Sequence, residues 1–524
     1  MQVWIHPLIP TPTRLTRRRT RRVKCDEQKP LCRRCVQAGR LCGGYSHQSI
    51  SSTALQPALR IGATADSQTE RLRYLAAHVL SLDNNGHPLR EDGVWGRIFL
   101  QLSNQVDCVK AAAAAFGAAY EASLHSGIGN SPCSAWRQYG SALAKLRVDF
   151  NSGNAGPESL ALASMVLACA EILSQHEQNA FAHFLGAVQI LTPTSQRREG
   201  GPGASFDILN TIRRELVSFE VLIGSYAMSQ TPAFMHLEPQ GPVVDDHVLR
   251  EPELAVDTAM LCLHRCYQFI QSTAQLRYKY PSWKGDDPAT CNAQSDAVAQ
   301  CRSMLDGLAE HTTRLQAHSA TETSALGHSE TLGEIYALRA QLTSTLVYLQ
   351  CIDNPFQAGY DEHQLHFRNI VSDAAASARL SRRIKLGALK RFSTRPGVVS
   401  PLFFVSMRCR DPSLRALATT MLGEQDREGP TDGRIMAAIG ARLATLETSA
   451  SVASFSSVPL AACNVLEEHR VHGYGVSPPR WNSEGRRVVD VQFSRPKVPL
   501  SQGWGHRDYL SLENWILWSE TILL

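Results

Sequence analysis

Residues Arg14 to Cys42 read RLTRRRTRRVKCDEQKPLCRRCVQAGRLC. Four cysteines, Cys25, Cys32, Cys35 and Cys42, fall in it with the spacing C-x6-C-x2-C-x6-C. Thiolate is a soft ligand suited to tetrahedral zinc, and close, regular spacing of this kind marks a metal site. The C-x2-C pair lets two thiolates from one turn grip one ion, and the x6 loops close the tetrahedron from the flanking turns. Pro30, two residues before Cys32, stiffens the loop between the halves. Seven of the eleven residues from Arg14 to Lys24 are Arg or Lys. A metal-stapled loop beside such a block has the parts of a small phosphate-binding, groove-reading module.

Arg21 to Tyr45, RRVKCDEQKPLCRRCVQAGRLCGGY, resembles the fungal binuclear zinc-cluster domain of transcription regulators. That family carries six cysteines, C-x2-C-x6-C-x5–12-C-x2-C-x6–8-C, which share two zinc ions. Its last four coincide with Cys25, Cys32, Cys35 and Cys42, and the K-C-D-E, K-P-x-C and G-x-x-C-x-G-Y details match as well. The resemblance implies zinc as cofactor and double-stranded DNA as partner. It implies that Arg18 to Lys24 forms a short helix, seated in the major groove over a CGG triplet. By position Arg22 is the base reader, with Arg21 and Lys24 supporting and Arg18 and Arg19 in the same helix; an arginine grips guanine O6 and N7 with two prongs. Arg33, Arg34 and Arg40 then pin phosphates, which positions the module without reading sequence.

The chain departs from the family at the first two cysteines. Their positions hold Leu15 and Arg18 or, with one inserted residue, Arg14 and Arg17, and no cysteine precedes Cys25. Two accounts stand open. Met1 to about Arg17 derives from non-coding sequence read at the start, or the chain is a divergent relative with one zinc or none.

Charge is concentrated where the motif lies. Residues 1–45 hold eleven basic and two acidic side chains, a net of +9; the remainder holds 42 basic and 46 acidic. The basic block is therefore a local tool for a polyanion and not a general surface property. It also has the form of a nuclear import signal, so a nuclear location is expected. An Arg-rich, acid-poor start is shared with mitochondrial presequences, but here the block runs straight into the cysteine motif. No run of about 18 apolar residues occurs, so neither a membrane span nor a membrane partner is expected. A secretory signal is not expected either, since no apolar core or cleavage site is evident near Met1.

After Tyr45 a Ser-, Thr-, Ala- and Gln-rich stretch reads as a linker. The expected organisation is a DNA-binding module at 14–46, a linker at 47–66 and a helical regulatory domain at 67–524. Ser67-Gln68-Thr69-Glu70 has the form of a capping box, followed by Leu72, Leu75, Val79 and Leu82 at 3-4-3 spacing, with Asn84-Asn85-Gly86 as a stop. Two heptads are thin support for a dimerising coiled coil, so this is read as the first helix of the large domain; a homodimer stays open.

From about Asp92 on, the periodicity is helical almost throughout. Trp95, Ile98, Phe99 and Leu102 share a face. Lys110 to Tyr120 is Ala-rich, which allows close helix approach, and Gly156-Pro157-Glu158 opens a helix through Leu173. Phe181, Phe184, Leu185, Val188 and Leu191 line a stripe, and further stripes run through 207–226, 253–275, 332–352, 366–384 and 432–446. Arg487 to Phe493 is the best strand candidate, and Leu512, Trp515, Ile516, Ile522 and Leu523 are read as an amphipathic C-terminal helix. The expected fold class is all-α. The stretches DGVWGRIFLQLS (Asp92 to Ser103) and AFAHFLGAVQIL (Ala180 to Leu191) resemble the fungal-specific regulatory domain that follows zinc clusters.

No H-E-x-x-H, G-x-S-x-G, P-loop or strand-linked G-x-G-x-x-G occurs, and no enzyme activity is expected. Cys262 and Cys266, with His264 between them, have the spacing of a helical metal site but are read as core thiols, like the other scattered cysteines. Asp245-Asp246 and Asp286-Asp287 lie in Pro-flanked loops, and His183, His311 and His318 are read as packing or surface histidines. Two classes of function remain. One is a zinc-dependent, sequence-specific transcription regulator of RNA polymerase II genes, which implies transcription machinery or co-regulators as partners. The other is a helical interaction or ligand-sensing protein that has lost DNA binding.

Overall fold

The structure is a computed structural model that describes residues 65–80, 93–124, 133–196, 204–226, 252–279, 288–319, 325–354, 356–381, 392–454, 465–497 and 512–524. These carry fourteen α-helices. The first six are α1 (Ala65–Leu80), α2 (Phe99–Gln105, entered through a π-turn at Val94–Ile98), α3 (Asp107–Leu124), α4 (Cys133–Ser152), α5 (Pro157–Leu173) and α6 (Glu177–Gln196). Four longer ones follow: α7 (Ala204–Tyr226), α8 (Pro252–Lys279), α9 (Pro288–Ser319) and α10 (Ala325–Cys351). The last four are α11 (Gln364–Ser381), α12 (Val399–Arg408), α13 (Pro412–Gly423) and α14 (Gly433–Ser454). The all-α expectation describes the bulk of the fold, to which two small sheets are added.

Helices α3, α4, α6 and α7 pack against α5, in which every residue from Ser159 to Leu173 is buried. A helix apolar on all sides has to be enclosed on all sides. Gly156 and Pro157 start it as the sequence predicts, because Pro at the first helical position gives up an amide that has no partner there. It ends with Gln175 at φ 66°, a left-handed cap that returns the His176 amide to the Glu171 carbonyl at 2.9 Å. Helix α1 lies on α3 with Leu72, Leu75 and Val79 buried, so it belongs to the body. A Cβ added at Gly117 of α3 would overlap the Leu72 carbonyl, so the Ala-rich stretch does serve close backbone approach. The capping-box expectation fails: the helix already begins at Ala65, and Ser67 to Glu70 lie within its first turns. Glu70 instead pairs with Arg73 at 2.8 Å and Lys110 at 2.6 Å.

Helix α10 joins two apolar cores. Leu332, Ile335, Leu338, Leu342, Leu346 and Leu349 face the helices before it. Ala337, Ala340, Val347 and Cys351 face a second core built by α11 to α14 and the larger sheet. The small sheet consists of β1 (Phe392–Ser393), parallel to β2 (Arg427–Glu428), which is antiparallel to β3 (Thr431–Asp432). Phe392 reaches into the first core, with its ring centroid 5.6 Å from that of Phe116.

The larger sheet contains β4 (Gly473–Val476), β5 (Arg480–Trp481), β6 (Arg487–Pro496) and β7 (Trp515–Leu523), all antiparallel to the central β6. The strand expected at Arg487 to Phe493 is the first part of β6. The amphipathic helix expected at the C-terminal end is not formed: Trp515 to Leu523 is strand β7, paired with β6 from Val488↔Leu523 to Pro496↔Trp515. The physical reason is a period of two. Ile516, Trp518, Glu520 and Ile522 alternate with the exposed Leu517, Ser519, Thr521 and Leu523, and Trp518 packs on Phe493 at 5.6 Å between ring centroids.

Candidate zinc-cluster site and the polar centres of the helical body

Cys25, Cys32, Cys35 and Cys42 and the basic side chains Arg18, Arg19, Arg21, Arg22, Lys24, Arg33, Arg34 and Arg40 lie outside the described residues. Four thiols supply one complete tetrahedral set for zinc, and a second ion would need further ligands. Thiolate formation is favoured by adjacent cations, and Lys24, Arg33 and Arg34 directly neighbour Cys25, Cys32 and Cys35.

Within the described residues, the other metal-like spacing is structural. Cys262 and Cys266 are buried in α8, and His264 between them faces Glu220 of α7, 2.6 Å from Nε2 to Oε2. Cys301 of α9 joins the two thiols in the core. Among the described residues no group of three or more His, Cys, Asp or Glu side chains is arranged to hold a metal ion. Cys108, Cys169, Cys351 and Cys409 are buried free thiols, and burial pushes the Cys108 thiol up to about 12 and those of Cys351 and Cys409 up to about 11. Such thiols are packing groups and not nucleophiles. His183 lies 2.8 Å from the Tyr139 hydroxyl, and burial lowers its pKa. His311 is buried in α9. Asp245, Asp246, Asp286 and Asp287 lie outside the described residues.

The charged centres that the structure does assemble are buried carboxylates holding elements together, and sequence spacing gave no sign of them. Glu215 of α7 accepts from the Trp95 indole at 2.6 Å and the Thr394 hydroxyl at 3.1 Å, and pairs with Arg395 at 3.3 Å. Arg395 also pairs with Glu334 of α10 at 2.9 Å. Glu428 of β2 accepts from the amides of Gly397, Val398 and Val399 at 2.9–3.2 Å, capping the otherwise unpaired first turn of α12. Glu447 of α14 pairs with Arg410 and Arg415 at 2.7 Å each and accepts from the Val471 amide at 2.9 Å. Burial alone would push the Glu447 carboxyl up, but the two guanidiniums and its hydrogen bonds outweigh this and hold it at about 2. Partners of these acids lie up to 180 residues away in sequence, as for Arg395 and Glu215. No local motif announces such a pair. No described helix is long and apolar enough to cross a membrane.

Comparison with known proteins finds a family match in the N-terminal segment. Residues 18–51 match the family described as the fungal Zn(2)-Cys(6) binuclear cluster domain. The chain is similar to an aspercryptin biosynthesis cluster-specific transcription regulator of Emericella nidulans, 38% identical over 56 residues, which is 11% of this chain and 9% of that protein. It is similar also to an uncharacterized transcriptional regulatory protein of Schizosaccharomyces pombe, 55% identical over 29 residues, or 6% of this chain and 5% of that protein. The chain thus matches less than a tenth of the length of either curated relative. No solved structure matches it. The zinc that this family binds fits the donor chemistry of the four thiols Cys25, Cys32, Cys35 and Cys42, and over residues 18–51 the chain matches the fungal Zn(2)-Cys(6) cluster domain, with no cysteine among its residues before Cys25.

Proposed function

We propose that this chain is a zinc-dependent, sequence-specific transcription regulator acting in the nucleus on RNA polymerase II genes. In this reading residues 14–46 are the DNA-binding module, the stretch to about residue 66 is a linker, and the helical body is a non-catalytic regulatory domain that meets co-regulators. The observation that carries the reading is the cysteine set, inside the segment that matches the cluster family, preceded by seven basic residues between Arg14 and Lys24. Zinc at Cys25, Cys32, Cys35 and Cys42 fixes the C-terminal end of the basic segment at Cys25. Arg18 to Lys24 then docks in the major groove, with Arg22 on guanine O6 and N7 of a CGG triplet and Arg19, Arg21 and Lys24 beside it. Arg33, Arg34 and Arg40 neutralise phosphates and set the register. Both names of the similar proteins, which describe transcription regulation, support this reading.

The test is a band-shift titration of CGG-containing and scrambled duplexes at several salt concentrations. It uses the chain as it stands and an L15C/R18C variant that fills the two family positions. Each neutralised phosphate adds about 0.9 to the log–log salt slope. Arg22→Ala is expected to cost about 1–3 kcal/mol and to relax the triplet preference, while Arg33→Ala weakens all sequences alike and lowers the slope by about one unit. Equal affinity of L15C/R18C for both duplexes would remove the reading.

A specific observation favours a second reading. No cysteine precedes Cys25, so the chain as it stands has one tetrahedral set where the family has six ligands. Loss of triplet preference in the chain, with recovery in L15C/R18C, would assign it as a helical interaction or ligand-sensing protein that has given up DNA binding.

A further inference from the structure

Helix α4 is amphipathic toward the core, and among the polar residues of its outer face runs an exposed line of apolar and small side chains. Ala142 and Asp149 are buried, Tyr139, Leu143 and Leu146 pack partly against the first core, and Asp149 accepts from the Cys108 amide at 3.1 Å. Away from the core Trp136 is 49% exposed and Val148 58%. Trp136, Gly140, Ala144 and Val148 follow one another at four-residue steps, which makes a single ridge along the exposed surface. Its middle is low: a Cβ at Gly140 would meet nothing within 4 Å. Its end is firm, because the Trp136 ring leans on His176 and Tyr139 at centroid distances of 5.0 and 6.1 Å. A fixed aromatic followed by small residues admits the close approach of another helix, and an aromatic anchor of this kind is typical of interaction sites.

Charge says what sort of helix fits. The basic residues of α4 are Arg137, Lys145 and Arg147, and its one acid, Asp149, points inward. Lys145 is answered by Asp107 at 2.9 Å. Arg137 and Arg147 are exposed and make no ion pair among the described residues, and they flank the ridge at its two ends. A second copy of the chain is a poor occupant. A two-fold axis passing the middle of the helix, near Ala142, would set Arg137 of one copy against Arg147 of the other, like charge against like. An occupant with carboxylates flanking an apolar stripe satisfies both arginines. We propose that the outer face of α4 is a docking ridge for an acidic amphipathic helix of a partner protein.

The test uses the full chain, without DNA, and a fluorescein-labelled synthetic helix of roughly four turns. Leucine and alanine form one face of this peptide and glutamates flank it. A second peptide replaces every glutamate by lysine. Anisotropy titration is expected to show binding of the glutamate peptide, with at least about tenfold weaker binding of the lysine peptide. R137E/R147E is expected to reverse that preference, and Gly140→Trp to abolish both interactions while leaving the helical circular dichroism unchanged, since the site is open. Equal binding of the two peptides, absence of binding by either, or indifference to both variants would overturn the proposal. Self-association in sedimentation that Gly140→Trp removes would overturn it in favour of a homodimer face. Binding of scrambled duplex DNA that R137E/R147E removes would overturn it in favour of a nucleic-acid surface.

Discussion

Glu447→Ala isolates the buried charge centre of the second core. Glu447 is 1% exposed, Arg410 3% and Arg415 6%, so its removal leaves two guanidiniums out of water with no carboxylate. It also takes the acceptor from the Val471 amide, which leads into β4. Removing one member of a buried charge cluster costs about 3–5 kcal/mol, because the remaining charge is uncompensated. The pH dependence gives an independent figure. The Glu447 carboxyl lies at about 2 in the fold, below the ordinary value of 4.5. Its contribution is therefore fully present above about pH 4.5 and is lost as pH falls through 2, amounting to about 3 kcal/mol over that window. The two figures agree on a large effect. Urea unfolding of the full chain at pH 7, followed by circular dichroism, measures it; repeating the titration at pH 4 and 3 should show wild type approaching the variant. A companion triple variant, E447M/R410M/R415L, is expected to recover most of the loss, since apolar groups of similar volume need no partner. A destabilisation under about 1 kcal/mol for Glu447→Ala, or a triple variant no better than the single one, would refute the assignment of Glu447 as the group that balances both arginines.

Metal analysis of the purified full chain is expected to give at most one tightly bound zinc per molecule, rising to two in L15C/R18C; two in the chain as it stands would show that ligands other than these four thiols take part. A chelator should remove that zinc and leave the helical circular dichroism and thermal midpoint in place, because the described cores contain no metal site; unfolding on chelation would contradict this. Gly117→Val, forced against the Leu72 backbone, should cost about 2 kcal/mol in thermal or urea unfolding, whereas Gly140→Val on the open face of α4 should fall within about 0.5 kcal/mol of wild type. Equal effects of the two would mean that α1 does not press on α3.

Much of the fold could be read from periodicity. Leu72, Leu75 and Val79, the Gly156-Pro157 start and the stripes of α7, α8, α10, α11 and α14 are local patterns, and local patterns decide where helices form. Ser67 to Glu70 misled because a capping box is also an ordinary run of helix-compatible residues when the chain turns helical two residues earlier. Trp515 to Leu523 misled for a different reason. Trp515 and Ile516 mimic a helical stripe with Leu512, while the alternation that matters is realised only against β6, some twenty residues back. The cysteine set stands out in the sequence because its four thiols lie close together, as ligands that staple so short a segment must, though it falls outside the described residues. The acid centres at Glu215, Glu428 and Glu447 were not, because each draws its partners from distant elements through folding itself.

Helix α10 has a consequence for how the body comes apart. Its leucines belong to one core and its alanines, Val347 and Cys351 to the other. Opening either core strips one side of the same rod and leaves apolar surface facing water, so neither half has a low-energy way to melt alone. Amide hydrogens on α5, in the middle of the first core, and on α12, in the second, should then exchange at one shared rate set by loss of α10. A mechanical load or a bound partner that strains one half is transmitted to the other through the ordering of this single helix, which acts as the party wall of the molecule.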